Sequence, residues 1–341
     1  MKNNETLIIF DLFGVVFNKG LESSIDRLVA VLNRPEDEIE KAYRHWEQLF
    51  DRGEIDEDIF WSKINIQLGS NINPSVLSNI VISAYRPRMQ TIQLARFLKR
   101  HHKVVVYSNY RKEWFNQLDD IYDIEVNFDD VIISSDTGLL KPDANVFYYL
   151  EREFKVPIEN MVLIDDDISN ISGIKNLGGN GVLFRNVYEA EVITRSILKE
   201  KMPSYDYSYS GILIRTKQGA LIFQRRDKKP SIQNSGKLSV FGGRGKKKEN
   251  PVECALRELW EETGIIKTPE EMTLLRNYGA PDENDCWVNC SYFLVEAEVN
   301  DIDIREGHGV EVWYPNQALD QKDLTDVPRV LIESIIEKKQ F

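Results

Sequence analysis

GRGKKKENPVECALRELWEETGI, residues 243–265, decides how the second half of the chain must fold. Asn250 stands where a helix N-cap belongs, Pro251 suits the first helical position, and Glu253, three residues after the cap, completes a capping box. Gly264 supplies the stop, because glycine takes the left-handed conformation past a helix end at little cost. Between them Glu258, Glu261 and Glu262 stand at i, i+3 and i+4, which puts three carboxylates on one helical face. Val252, Ala255, Leu256 and Leu259 give the helix an apolar side to turn towards a core. Three like charges so placed repel one another and weaken the helix unless a cation sits among them. Hard oxygen ligands of this kind suit Mg²⁺ or Mn²⁺.

The window also fills a known signature, G-x5-E-x7-R-E-U-x-E-E-x-G-U, where U is a bulky aliphatic residue. Gly243, Glu249, Arg257, Glu258, Leu259, Glu261, Glu262, Gly264 and Ile265 occupy its fixed positions, and the stretch resembles the Nudix hydrolases. The resemblance implies water attack on a phosphorus of a diphosphate bridge in a small nucleotide-like substrate. The bridge would be polarised by Mg²⁺ or Mn²⁺ held on Glu258, Glu261 and Glu262. It also implies that Arg257 orients a glutamate and that the Gly243 carbonyl touches metal. Glu306 matches an outlying position of the relatives that hydrolyse 8-oxo-dGTP and is the expected further metal ligand, with Glu311 and Glu298 as rivals. Asp326 resembles the base-reading position of the same relatives. Arg225 and Arg226 close a strand near the expected phosphate path; alternation sends one to each face, so one of them is expected on the substrate. Lys246, Lys247 and Lys248 read as a solvated run.

The first half has a different grammar. Leu7–Phe10, Val104–Tyr107 and Met161–Ile164 are short continuous apolar runs, as expected of strands buried on both faces. They end in Asp11, in Ser108-Asn109 and in Asp165-Asp166-Asp167, and open α/β sheets place ligand sites just past the carboxyl ends of parallel strands. Gly138-Leu139-Leu140-Lys141-Pro142 adds a loop lysine between the second and third.

These four stretches resemble the haloacid dehalogenase (HAD) superfamily over about residues 5–190. The resemblance implies a Rossmann-like fold in which Asp11 attacks phosphorus, Ser108, Asn109 and Lys141 hold the phosphoryl oxygens, and Asp11, Asp165 and Asp166 bind Mg²⁺. Asn170 would support them. One residue departs from the pattern. Phosphatases of the family usually carry an acid two positions after the nucleophile, and Phe13 transfers no proton. Two readings follow: a phosphomonoesterase acting on the product of the other half, or a ligand-binding, regulatory module beside an active Nudix hydrolase.

Residues 18–88 carry amphipathic helical patterns, Pro35 to Phe50 and Asp56 to Leu68 among them. Arg52-Gly53-Glu54-Ile55 with Phe60-Trp61 resembles a helical cap of the same superfamily. Trp46, Phe60 and Trp61 are expected in its core, and His45, His101 and His102 as surface or packing residues. The expected division is a HAD-like domain over 1–200, a polar linker over 201–210 and a Nudix domain of mixed sheet between helices over 211–341.

At 341 residues, 42% hydrophobic and 29% charged, the chain has the composition of an ordinary globular protein of two or three domains. No apolar run approaches bilayer length, so no membrane partner is expected. The amino terminus lacks a signal-peptide layout, and three cysteines show no metal or disulfide spacing, which fits a reducing cytoplasm. A net charge of −12 argues against a nucleic-acid polymer as partner but not against a small phosphorylated ligand.

Overall fold

A strand of four apolar residues with no polar face has to lie between other strands, and Leu7–Phe10 does. The computed structural model describes residues 6–199, 202–229, 234–282 and 284–337. The chain divides into two compact units, Met1–Pro203 and Ser204–Phe341. The first runs β1 (Leu7–Phe10), α1 (Gly20–Leu32), α2 (Glu36–Asp51), α3 (Glu57–Leu68), α4 (Pro74–Ile82), α5 (Met89–Lys99), β2 (Lys103–Ser108) and α6 (Lys112–Tyr122). It continues with β3 (Asp130–Ile133), α7 (Ser134–Thr137), α8 (Ala144–Phe154), β4 (Met161–Asp165), α9 (Ile168–Asn176), β5 (Asn180–Leu183) and α10 (Val187–Leu198).

Its five strands lie parallel in the order β3-β2-β1-β4-β5, a Rossmann-like sheet. Leu7 sits opposite both Lys103 and Met161, so the carboxyl ends of β1, β2 and β4 come out level. That register brings Asp11, Ser108 and Asp165 to one edge. Leu7, Ile9, Val105, Tyr107 and Leu163 pack on one face against Val146, Phe147 and Leu150 of α8. β3 has no counterpart among the expected strands, because its apolar run is only Val131-Ile132-Ile133 and β2 supplies its pairing.

Helices α1 to α4 fill the interval between β1 and α5. Phe60 and Trp61 are fully buried; Phe50 stacks on Phe60 at 4.2 Å and Tyr43 meets it edge-on at 5.1 Å. Trp46 is not part of that core. It is half-buried, its indole N–H donates to Gln67 at 3.2 Å, and Lys63 lies 5.2 Å from its ring, so an amphipathic indole has settled at the rim.

The second unit runs β6 (Tyr207–Arg215), β7 (Leu221–Arg225), β8 (Leu238–Ser239), β9 (Phe241–Arg244), α11 (Pro251–Thr263), β10 (Thr273–Pro281), β11 (Trp287–Glu296), β12 (Gly309–Trp313), α12 (Pro315–Leu319) and α13 (Asp326–Glu337). The mixed sheet has the order β10-β11-β6-β7-β12, with β8 on β7 and β9 on β6. β6 and β11 are parallel, the other pairs antiparallel.

The stretch read as linker is strand from Tyr207 onwards. Tyr207 to Ser210 pair with Val288 to Ser291, so residues with a linker's composition extend the central strand. Their Tyr-Ser alternation has a strand's period of two. α11 forms as the capping pattern requires. Asn250 Oδ1 accepts from the backbone of Val252 at 3.0 Å and Glu253 at 2.9 Å, Glu253 Oε2 accepts from Asn250 N at 2.9 Å, and Gly264 takes φ 70°. Ala255 and Leu259 bury its apolar side against Ile212, Ile214 and Phe241.

Within β9 Gly242 takes φ 136° where it pairs with Gly211, and an added Cβ would meet the Ser210 carbonyl oxygen at 2.1 Å. Gly242→Ala is therefore expected to destabilise this unit by about 1–3 kcal/mol. Gly219→Ala, with a positive φ but nothing within 4 Å of the added carbon, should shift the urea midpoint less. No helix among the described residues is long and apolar enough to cross a membrane.

Candidate active sites

Asp11 follows β1 directly, and its backbone N–H donates to the Ile164 carbonyl at 2.9 Å, which locks the turn to the end of β4. Lys141 Nζ donates to Asp11 Oδ1 at 2.8 Å and to Asp165 Oδ2 at 2.6 Å, and lysine and both carboxylates are buried. Asn170 Nδ2 lies 3.1 and 3.0 Å from the two Asp165 oxygens, and the Asp167 N–H donates to Asp165 at 2.8 Å. Asn109 fixes the lysine from behind: its amide exchanges two 2.9 Å hydrogen bonds with the Lys141 backbone. Ser108 is buried at the end of β2 beside them.

Carboxylate oxygens of Asp11, Asp165 and Asp166 lie within 4.8 Å of one another, the one set of three acid, His or Cys ligand atoms so gathered among the described residues. An all-oxygen, hard donor set fits Mg²⁺ or Mn²⁺. Gly14, at φ 92°, has no side chain because an added Cβ would meet Asp166 Oδ2 at 2.4 Å. Burial pushes Asp11 above the ordinary carboxylate range, with Lys141 opposing and Asp165 adding. Burial alone would lower Lys141, but Asp11 and Asp165 hold it above the usual lysine value.

These groups open into a cavity of about 530 Å³ that residues of the inserted helices also line. Lys19 pairs with Asp166 at 2.9 Å. Tyr43, Glu47 and Asp51 reach the cavity from α2, Tyr85 and Tyr110 from neighbouring loops. None of these six carries a family motif. Tyr43, Glu47 and Asp51 do share the i, i+4, i+8 spacing of one helical face, a signal the sequence contained. Phe13 lies among the rings, 4.5 Å from Tyr85 and 4.0 Å from Tyr110.

In the second unit the three glutamates of α11 do not converge in the same way. The cation that Glu258 and Glu261 share is the Arg257 guanidinium, whose Nη1 donates to them at 2.6 and 2.8 Å. Arg257 also grips both Glu249 oxygens, at 2.7 and 2.9 Å, and the Arg244 carbonyl at 3.1 Å. The counter-charge expected of a metal is thus supplied here in part by the signature's own arginine, and Lys246 adds a 3.4 Å pair to Glu261. Glu262 is buried and accepts from the Gly242 N–H at 3.0 Å. Burial pushes its carboxyl up to about 8, the Gly242 N–H opposing, with Glu306 and Glu258 adding. An all-oxygen carboxylate set of this kind also fits a hard divalent cation.

Of the outlying acids, Glu306 lies near enough to raise both Glu262 and Glu258. Glu311 accepts from Arg225 and from Trp313 Nε1 at 3.2 Å, and Glu298 accepts from the Lys217 N–H at 3.0 Å. Gly243 lies against the carboxylates, where a Cβ would meet Glu258 Oε1 at 2.4 Å; its carbonyl accepts from Cys254 Sγ at 3.6 Å.

Arg225 is held by protein partners. Its guanidinium is engaged by Glu311, by Asp323 and, at 2.8 Å, by the Gly236 carbonyl, because β7 turns it towards β12 and the loop before β8. Arg226, just past β7, has a buried Nε without a hydrogen-bond partner and lies near Tyr209, whose hydroxyl also feels Glu262 and Glu258. Asp326 is exposed at the first residue of α13.

Two family models match the chain, one of haloacid dehalogenase-like hydrolases over residues 6–178 and one of the NUDIX domain over residues 206–334. A HAD family enzyme from Bacteroides thetaiotaomicron is 16% identical, with a TM-score of 0.48, covering 53% of this chain and 93% of that one. The MutT protein from Methanosarcina mazei is 22% identical, with a TM-score of 0.35, covering 40% of this chain and 96% of that one. Among curated proteins, the drimenol cyclase drtB of Aspergillus calidoustus is 33% identical over 64 residues, 19% of this chain. The chain spans 12% of that protein's length.

Proposed function

The chain belongs to the haloacid dehalogenase-like hydrolase family and carries a NUDIX domain, and on that premise we propose a Mg²⁺- or Mn²⁺-dependent hydrolase with two centres. Both domains indicate hydrolase activity on phosphorus-containing substrates. The NUDIX half cleaves the diphosphate bridge of a small nucleotide-like molecule, and the HAD half removes the phosphate left on the product. Neither a nucleic-acid polymer nor a membrane is the partner, and the cytoplasm is the compartment.

What carries the bifunctional reading is the meeting of Asp11, Asp165, Asp166 and Lys141 in one cavity. A divalent cation, when bound there, neutralises phosphoryl charge. An Asp11 oxygen attacks phosphorus, while Lys141 and the groups at Ser108 and Asn109 hold the phosphoryl oxygens. In the other half Glu258, Glu261 and Glu262, with Glu306, offer the oxygen ligands. Arg257 keeps two of them in place, and Arg226 is the arginine left for the substrate phosphates.

A second reading, in which the HAD half only binds a phosphorylated ligand, is favoured by Phe13. The full chain, offered a panel of nucleotide diphosphates with Mg²⁺ and with Mn²⁺, decides between them. Glu262→Gln is expected to slow diphosphate cleavage about 10²–10³-fold and leave release of phosphate from p-nitrophenyl phosphate unchanged. Cleavage untouched by Glu262→Gln would refute the NUDIX assignment. A wild type inert towards every phosphomonoester would leave the binding-module reading.

A further inference from the structure

We propose that Asp51, at the end of α2, is the proton donor to the leaving oxygen in the aspartate site, standing in for the acid that Phe13 cannot be. The proposal rests on the phosphomonoesterase reading of that site. Asp51 lines the same cavity as Asp11 and Phe13, and its backbone is fixed over it. The Asp51 carbonyl accepts from Ser134 Oγ at 2.6 Å, and the Phe50 carbonyl accepts from Arg111 Nη1 at 3.1 Å. Ser134 Oγ in turn accepts from the Tyr110 N–H at 2.9 Å. The end of α2 is therefore tied to the loop that leaves Ser108 and Asn109.

The placement of Asp51 favours its neutral form. Glu47 and Asp51 stand at i, i+4, where two like charges weaken a helix, and Asp51 is the last residue of α2, where the helix dipole disfavours a negative charge. Neutral, the same carboxyl offends neither rule. Burial and then Glu47 hold Asp51 well above the ordinary carboxylate range; Arg111 opposes and Asp11 adds. A second polar group lines the same cavity. The Tyr110 hydroxyl is buried, with the Tyr85 hydroxyl as a near polar neighbour, and makes no hydrogen bond within ordinary distance. It is open to a polar atom of a ligand.

In the first step an Asp11 oxygen bonds to phosphorus as the bond from phosphorus to the leaving oxygen breaks, and the Asp51 proton passes to that oxygen, releasing an alcohol. In the second a water oxygen bonds to phosphorus, the bond to Asp11 breaks, and the Asp51 carboxylate takes the proton from the water. Inorganic phosphate leaves and both aspartates return to their starting state.

The test is leaving-group selectivity in the full chain. p-Nitrophenyl phosphate loses an acidic phenol as its phenolate and needs little proton donation; glycerol phosphate would otherwise have to expel an alkoxide and needs it fully. Asp51→Asn is expected to lower kcat/KM about 10²–10⁴-fold for glycerol phosphate and less than about tenfold for the aryl ester. Phe13→Asp added to Asp51→Asn should recover part of the alkyl activity, a rescue that a misfolded cap could not give. Equal losses on both esters, or none on either, overturn the proposal. So does a selective loss in Glu47→Gln without one in Asp51→Asn, or a wild type that cleaves the aryl ester alone. A wild type that cleaves neither brings down the phosphomonoesterase reading itself.

Discussion

Asp11→Asn is expected to abolish phosphate release from p-nitrophenyl phosphate by the full chain, lowering kcat at least about 10⁴-fold, the scale on which removal of a nucleophile acts. A neutral amide oxygen is too weak a nucleophile towards phosphorus, so no covalent intermediate forms. The fold should tolerate the change. Lys141 keeps its 2.6 Å bond to Asp165, and an asparagine oxygen can still accept its other hydrogen bond. Wild type also places Asp11, Asp165 and Asp166 around Lys141 and Lys19, with burial opposing ionisation of Asp11, so removing one negative charge relieves rather than creates an imbalance. The melting temperature should therefore stay within a few degrees of wild type while phosphatase activity vanishes. Cleavage of diphosphates by the NUDIX half should be untouched. Residual activity within about tenfold of wild type would exclude Asp11 as the nucleophile.

What the sequence disclosed were features fixed by neighbours along the chain. The caps of α11 depend on Asn250, Glu253 and Gly264, all within fifteen positions, and they formed as the spacing required. The apolar runs at Leu7 and Met161 could only be interior strands, and their ends carry the aspartates that meet at Lys141. Features fixed by distant partners stayed hidden. The Tyr-Ser repeat at 207–210 reads as linker until β11, some eighty residues later, pairs with it. Alternation said that Arg225 and Arg226 would part company; it could not say which one protein acids would hold, because Glu311 and Asp323, the partners of Arg225, stand 86 and 98 residues further on. The same holds for Glu47 and Asp51. Their spacing was in plain view, but only the packing of α2 over the aspartates turns that face into part of a site.

Arg257→Ala should have the largest cost to folding of the substitutions considered. The Arg257 side chain is 17% exposed, and Glu249 and Glu258 13% each, so removing the guanidinium strands mostly buried carboxylates without their cation. Breaking one side of a fully buried pair costs about 3–5 kcal/mol and of an exposed pair less than about 1 kcal/mol, and this partly exposed network falls between the two. The loss should appear locally, as faster hydrogen exchange of the α11 amides, and globally, as a lower urea midpoint. Arg257→Lys keeps the charge but not the fork that spans both Glu249 oxygens, and should recover only part of it. The same contact holds the Glu249 carboxyl down at about 2. Its contribution to stability is present above the ordinary glutamate value and is lost as pH falls towards 2, so the variant should lose less stability than wild type on acidification through that window. Mg²⁺ supplies the discriminating arm. If the α11 glutamates bind the ion, millimolar Mg²⁺ should raise the midpoint of Arg257→Ala more than that of wild type, because the ion then replaces a missing counter-charge as well as filling its own site. A variant that unfolds like wild type, with or without Mg²⁺, would mean that the glutamates of this helix repel one another too weakly to need either cation.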